Sequence, residues 1–322
     1  MLRIYFTPED LARTRISAAP HPMWETLLSL YRLRTRTGEV IFEEWRRSVG
    51  PKAPADTRLL TDLVPRSGYA ADFLTPVTDD LTLAHGLEAL RLTPRRRLRE
   101  DLSILAGARR PPSWTTALAE GRADTVVRLA DAVERYFEAC LAPYWTHVAG
   151  RIGQERARQT ALMADGGWER VLEDLHPTAR WRYPVLELGY PADRELLLDG
   201  RGLQLAPSFF CQGLPITFLD GDYEPILVYP VEHELGWSAL GGTRASLASL
   251  LGRTRAKVLA AIGESPCTTS EVARRTATTL PTASQQASAL RGAGLVTSRQ
   301  NGQSVLHSIT SLGLALLAGG SA

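Results

Sequence analysis

The stretch that decides the fold of the last quarter of this chain is SEVARRTATTLPTASQQASALRGAGLVTSRQNGQSVLH, residues 270–307. Just before it, Thr268 lies three residues ahead of Glu271, which is the spacing of a capping box and predicts the start of a short helix. Thr279 is a second hydroxyl residue of the type that caps helices, and it predicts a second helix. Gly294 predicts the end of that helix. The stretch therefore encodes two helices joined by a tight turn.

Two strand-like runs follow the second helix. Residues 295–299 and 304–309 flank Asn301-Gly302, a dipeptide that favours the type I′ turn of a hairpin. Upstream, RTRAKVLAAI at 253–262 places Val258, Leu259 and Ile262 on one helical face. Three helices and a two-stranded wing in this order predict a winged helix-turn-helix, in which the last of the three helices lies in the major groove of DNA.

The predicted recognition helix is polar on most of its surface. Ala283, Ala287 and Leu290 form a narrow stripe suited to close packing. The other faces carry hydroxyl, amide and guanidinium groups, which hydrogen-bond to base edges and phosphates. The residues predicted to contact DNA are Ser270, Arg274, Arg275, Thr279, Thr282, Ser284, Gln285, Gln286, Ser288, Arg291, Arg299, Asn301 and Gln303. Among them Arg274, Arg275 and Arg299 are expected to contact phosphates, and Thr282, Ser284, Gln285 and Gln286 are expected to contact bases.

Charge is divided unevenly along the chain. From residue 243 onward there are eight Lys or Arg and two Asp or Glu, a net charge of +6, which leaves −4 for the preceding residues. A basic module attached to a mildly acidic body predicts that the module alone has a polyanionic partner, and double-stranded DNA is that partner. The alternative is a solvated basic surface with no partner.

The body before the module consists of two segments with different sequence patterns. Up to about residue 175, segments at 22–34, 39–48, 94–106, 124–149 and 151–175 carry apolar residues at helical spacing. Between about 183 and 233, short apolar runs separated by Gly, Pro and Asp predict an antiparallel β meander, with Asp199-Gly200 as a hairpin turn. The predicted fold class is therefore α+β: a mainly helical body with a β meander at 1–242, a hinge at 238–246, and a winged helix-turn-helix at 243–322.

The module resembles the winged helix-turn-helix of arsenic-repressor-type (ArsR) transcriptional regulators. The similarity runs from TTSEVARR through PTASQQASALRGAGLV and the Asn-Gly wing to ITSLGLALL. The positions that match the motif of the family are Ser284, Leu290, Ala293, Gly294, Leu295 and Val296. The chain departs from it at Gln285, Gln286 and Ala287, where the family often has Arg or His, His and Leu. This departure removes positive charge from the groove-facing helix and changes the expected target sequence.

The body is also similar to a group of proteins, the long actinobacterial regulators of this type. It shares their opening, FTPEDLARTR followed by PHPMWETLLSL, and the later segments DGRGLQLAPSFFC and PILVYPV. The resemblance implies a transcriptional regulator, expected to be a repressor and a homodimer. The body is expected to modulate DNA affinity, and its tryptophans serve either as core or as the lining of a site for a small-molecule effector.

Metal sensing of the founding ArsR kind is not expected. Those members use paired thiolates, often Cys-x-Cys, whereas Cys140, Cys211 and Cys267 lie far apart in this sequence. Neither a metal site nor a cofactor is predicted, and Cys267 is interpreted as a small core residue. The unpaired cysteines favour a reducing cytoplasm, and neither a secretory signal nor a membrane-spanning run is recognisable.

An enzyme with an accessory winged-helix module is the alternative hypothesis. The catalytic and phosphate-binding patterns G-x-S-x-G, G-x-x-x-x-G-K, G-x-G-x-x-G and H-E-x-x-H do not occur in the chain. A third hypothesis, in which the module binds a protein, conflicts with its charge and its polar helix. The sequence therefore favours a non-enzymatic, sequence-specific DNA-binding regulator.

Overall fold

Two compact units, Met1–Leu235 and Gly236–Ala322, make up the chain. The computed structural model describes all residues except 37, 67, 77, 79, 109, 220, 222, 234–236, 239–250, 265, 302–303 and 318–322. The predicted boundary between residues 242 and 243, and most of the predicted hinge, lie outside the described residues. That boundary stays a prediction.

The N-terminal unit is mainly helical up to residue 174, as predicted. Its helices are α1 (Pro8–Arg13), α2 (Pro22–Arg34), α3 (Glu39–Val49), α4 (Thr57–Leu63), α5 (Leu83–Arg91), α6 (Arg95–Ala108), α7 (Trp114–Ala119), α8 (Ala123–Cys140) and α9 (Trp145–Asp174). The predicted helical segment 124–149 is interrupted, because Pro143 lies in a short 3₁₀ turn, Ala142–Tyr144, between α8 and α9. Helix α9 bends at Gly166 and Gly167, whose backbone angles are not helical.

The strands of this unit form two sheets. They are β1 (Leu2–Tyr5), β2 (Arg15–Ile16), β3 (Arg180–Arg182), β4 (Val185–Leu188), β5 (Arg194–Leu197), β6 (Gln204–Ser208) and β7 (Ile226–Pro230). One sheet has the order β3-β4-β1-β5, with β1 antiparallel to β4 and parallel to β5. The other has the order β2-β6-β7, in which neighbouring strands are parallel.

The predicted antiparallel meander is therefore wrong. Asp199 and Gly200 do adopt the positive φ angles of a tight turn, but β5 and β6 on either side of them belong to different sheets. The reason lies in α1: Asp10 is fully buried, and its Oδ1 accepts a hydrogen bond of 2.9 Å from the Gly202 N–H. Gly202 has a φ of 75° and packs so closely on the backbone of Arg13 that a Cβ would not fit. This contact directs β6 to pair with β2.

The C-terminal unit has the predicted order of elements. It contains α10 (Arg253–Glu264), β8 (Cys267–Thr268), α11 (Thr269–Thr276), α12 (Leu280–Gly292), β9 (Val296–Asn301), β10 (Ser304–Ile309) and α13 (Ser311–Leu317). Strands β8, β10 and β9 form an antiparallel sheet in that order. Helices α11 and α12 with the β9–β10 hairpin make a winged helix-turn-helix, so the predicted α+β fold class is confirmed.

Local signals fix the helix-turn-helix. The Oγ1 atoms of Thr268 and Thr279 accept hydrogen bonds from the backbone N–H groups of Glu271 and Thr282, at 3.3 and 3.4 Å, so both predicted caps are confirmed. Between the helices, Ala277 takes a left-handed conformation with φ of 53°. This conformation ends α11 and turns the chain into α12. None of the helices in the described residues is long and apolar enough to cross a membrane.

Candidate nucleic-acid interface

Helix α12 has one face in the core and one in solvent. Ala283, Ala287 and Leu290 are fully buried, as the predicted stripe requires. Ala283 and Leu290 pack in a core that also contains Val258, Leu259 and Ile262 of α10, Cys267 of β8, and Val272 of α11. Ser284, Gln285, Ser288 and Arg291 are exposed. On a helix of 3.6 residues per turn, Gln285 and Ser288 point most directly away from the buried stripe.

The first turn of α12 is engaged in capping. The Thr279 Oγ1 atom lies 2.8 Å from the Thr282 Oγ1 atom and accepts the Thr282 backbone N–H. The sequence predicts that both threonines contact DNA. Their hydroxyls have a local structural role. Within the described part of the chain, the outward side chains of the second and third turns, Ser284, Gln285 and Ser288, make no hydrogen bond.

Gln286 faces a different direction from Gln285. Its Oε1 accepts a hydrogen bond of 3.1 Å from the Nε of Arg255, a half-buried residue of α10. This bond fixes the Gln286 amide beside the neighbouring helix. We therefore expect Gln285, and not Gln286, to reach base edges. The pair could not be found from the sequence, because it depends on how α10 packs against α12.

The two arginines of α11 are not equivalent. The Arg274 side chain is 79% exposed and lies 3.5 Å from the Glu271 carboxylate. The Arg275 side chain is 28% exposed; its guanidinium is 2.6 Å from the same carboxylate and donates to the Ala261 carbonyl of α10 at 3.2 Å. Arg275 thus ties α11 to α10, while Arg274 extends into solvent near the exposed Ser270.

The wing carries the remaining predicted residues. Arg299 is exposed on β9, opposite Leu306 of β10. The backbone of Asn301 pairs with Ser304 at the end of the hairpin. Gln303 lies outside the described residues, as does Gly302 of the predicted turn, so their contribution stays a prediction.

A buried histidine, which the sequence did not single out, anchors the wing. His307 of β10 lies with its Nδ1 2.8 Å from the Ser298 Oγ and its Nε2 2.9 Å from the Thr269 Oγ1. Burial lowers its pKa, and the charge of Arg291 lowers it further. The neutral ring therefore links β9 to the first residue of α11 and sets the position of the wing relative to the helix-turn-helix.

The difference between the two arginines gives a paired prediction. Arg274→Ala is expected to weaken binding to every DNA sequence and to flatten the slope of log affinity against log salt by about one unit, because one phosphate contact is lost. Arg275→Ala is expected to lower the free energy of unfolding by about 1 kcal/mol and leave that slope nearly unchanged. Salt titrations by fluorescence anisotropy and urea unfolding of both variants check this. Equal salt slopes for the two variants would contradict the assignment.

Comparison with known proteins gives a match in the C-terminal unit. A family model described as a helix-turn-helix domain matches residues 250–299. No curated protein and no solved structure matches the chain. The matched residues extend from α10 through α12 into β9, the elements that carry the exposed polar face and the arginines described above. The C-terminal unit contains a helix-turn-helix domain.

Proposed function

We propose that this protein is a sequence-specific regulator of transcription that binds double-stranded DNA through its winged helix-turn-helix. The observation that carries the proposal is the exposed face of α12, where Ser284, Gln285 and Ser288 point away from the buried stripe. Short hydroxyl and amide side chains on a recognition helix are the groups that hydrogen-bond to base edges in the major groove.

The electrostatics of the unit support a nucleic-acid partner. Arg274, Arg291 and Arg299 are exposed on α11, α12 and β9, which are three of the elements of the helix-turn-helix and wing. The net charge of +6 from residue 243 onward supplies the sequence-independent attraction to phosphates. Phosphate contacts fix the register, while the α12 face supplies the sequence preference.

The finer parts of the proposal concern assembly and regulation. One winged module buries too little surface for tight specific binding, so the protein acts as a homodimer on a two-fold site. The resemblance to ArsR-type regulators favours a repressor in the cytoplasm. The N-terminal unit would modulate DNA affinity with a coupling of about 1–3 kcal/mol.

Selection from a random duplex library tests the proposal, because the method works with an operator of any sequence. Full-length protein is expected to enrich one motif with two related half-sites about one helical turn apart. The enriched duplex is expected to bind at least about 1000-fold more tightly than a scrambled duplex at physiological salt. Failure to enrich any motif, with equal affinity for scrambled DNA, would refute sequence-specific regulation by this chain.

A further inference from the structure

One face of α2 carries buried polar groups that the proposed DNA-binding function does not use. His21, Glu25, Ser29 and Arg32 follow one another at helical spacing and are all at least nine-tenths buried. Two of them have clear partners: the Glu25 carboxylate accepts the backbone N–H groups of Phe209 and Phe210 at 2.8 and 2.9 Å, and Ser29 lies 3.0 Å from the Tyr136 hydroxyl.

Arg32, like His21, differs from Glu25 and Ser29. Its side chain is buried, with 9% of the residue exposed, yet its Nε and Nη1 have no hydrogen-bond partner in the part of the chain that the structure describes. Arg34, two residues later, shows the ordinary arrangement, since its guanidinium donates to the carbonyls of Leu30, Thr61 and Val64. A guanidinium remains charged at any physiological pH, so an unpaired one inside a protein is costly unless an anion joins it.

Arg32 lies near the carboxyl ends of two parallel strands. Cys211 and His233, both close enough to interact electrostatically with Arg32, follow the carboxyl ends of the parallel strands β6 and β7. Ligands of sheets with parallel strands bind beyond these ends. Strand β7 ends at Pro230, and beyond it the His233 Nε2 lies 2.6 Å from the Phe209 carbonyl.

Burial lowers the pKa of Arg32, and the positive charge of Arg46 lowers it as well. Burial, together with the charges of Arg151, His147 and Arg32, lowers the pKa of His233 to about 4, although the contact with the Phe209 backbone acts in the opposite direction. Burial also raises the pKa of the Cys211 thiol to about 12, so it supplies no anion. The carboxylate on the same face of α2, Glu25, is already held by two backbone N–H groups. His233 lies among aromatic rings: it meets the Phe42 ring at 5.1 Å, and that ring stacks on Phe210 at 5.5 Å.

We propose that the N-terminal unit binds a small organic carboxylate through Arg32, near Cys211 and His233. A guanidinium offers paired donors that match the two oxygens of a carboxylate, and the neighbouring aromatic rings favour a ligand with an apolar body over an inorganic ion. The binding site stands independently of the DNA-binding proposal. Only its role as the effector site of a regulator rests on that function.

Thermal unfolding of the full chain with benzoate as probe tests this site. Tryptophan fluorescence is the readout, because all but one of the tryptophans lie in Met1–Leu235. Benzoate is expected to raise the midpoint of the wild type saturably, by about 3 °C, whereas neutral benzamide and inorganic phosphate leave it unchanged. A wild type that does not respond to benzoate, or that responds equally to benzamide or phosphate, overturns the proposal.

Matched variants test whether the response to benzoate depends on Arg32. Arg32→Met is expected to abolish the response to benzoate, and Arg32→Lys, which keeps the charge but not the planar pair of donors, to weaken apparent affinity at least about tenfold. Arg128→Met, on the exposed side of α8, is expected to respond like the wild type. If Arg32→Met does not fold, Arg32→Lys decides: an unchanged affinity rejects Arg32 as the ligand-binding group. Because no DNA is present, failure here is distinct from failure of the proposed function.

Discussion

Replacing Gly313 with alanine is expected to destabilise the C-terminal unit by about 3 kcal/mol and to abolish DNA binding of every kind. Gly313 is buried in α13, and a Cβ at this position would lie against the carbonyl of Leu295 and the side chain of Ile309, closer than real Cβ contacts. Leu295 connects α12 to β9, and its carbonyl accepts the Thr310 N–H at 3.1 Å. The backbone cannot yield there without moving the wing relative to the recognition helix.

Hydrogen–deuterium exchange of the full chain measures this effect in peptides from residues 280–310. The Gly313→Ala variant should lose protection there, because local opening becomes easier as stability falls. Gly292→Ala is the matched control, since a Cβ at Gly292 meets nothing within 4 Å. It is expected to keep wild-type protection. Identical protection in both variants would show that α13 does not pack against the α12–β9 junction as described.

The second prediction with a large effect is a pH dependence of the free energy of unfolding, which arises from Glu25. Burial raises the pKa of this carboxyl to about 7, although hydrogen bonds from Phe210, Phe209 and Ser208 act in the opposite direction. A raised pKa means that the contribution of Glu25 to stability is full below its unfolded value near 4.5 and is lost as the pH rises through about 7. Between pH 5 and pH 8.5 this loss amounts to about 2 to 3 kcal/mol.

Glu25→Gln removes that titration. We expect the variant to gain about 2 to 3 kcal/mol relative to the wild type between pH 5 and pH 8.5, measured by urea unfolding with tryptophan fluorescence. His21 and His233 have pKa values lowered to about 4, and they cost stability as the pH falls below 6.5. Both proteins share this contribution, so it cancels in the difference. Glu138→Gln, on the exposed side of α8, should follow the wild type. A constant difference between Glu25→Gln and wild type at all pH values would contradict the burial of a titrating Glu25.

The predictions from the sequence were most accurate for features that depend on residues close together in the chain. The caps at Thr268 and Thr279 and the bounds of α2 depend on residues a few positions apart, and each agrees with the structure. The buried stripe of α12 follows from helical periodicity alone. The same reasoning failed for the sheets, because β1 pairs with β4 and β5 across more than 180 residues of sequence, as in Leu2 with Leu188 and Arg194.

The sequence predicted which types of residue form the candidate DNA interface, but not which contacts those residues make. Polar side chains could be assigned to the free faces of α11 and α12, but the sequence treats Gln285 and Gln286, or Arg274 and Arg275, as equal neighbours. The packing of α10 separates them, since Arg255 holds Gln286 and the Ala261 carbonyl holds Arg275. The sequence did not indicate Arg32 as a site residue for a similar reason. An arginine in a helix is expected to be exposed, and its burial here depends on strands that are distant in the sequence.

The measurement that tests the central claim most directly is the ratio of affinities for the selected duplex and its scrambled control, compared between Gln285→Ala and Gln286→Ala. If the exposed face of α12 contacts base edges, Gln285→Ala lowers this ratio by about 10- to 100-fold, corresponding to the loss of one bidentate base contact. Gln286→Ala leaves it near the wild-type value, because its amide faces Arg255. Equal ratios in both variants, whether reduced or unchanged, would contradict the recognition of DNA sequence by this face of the helix.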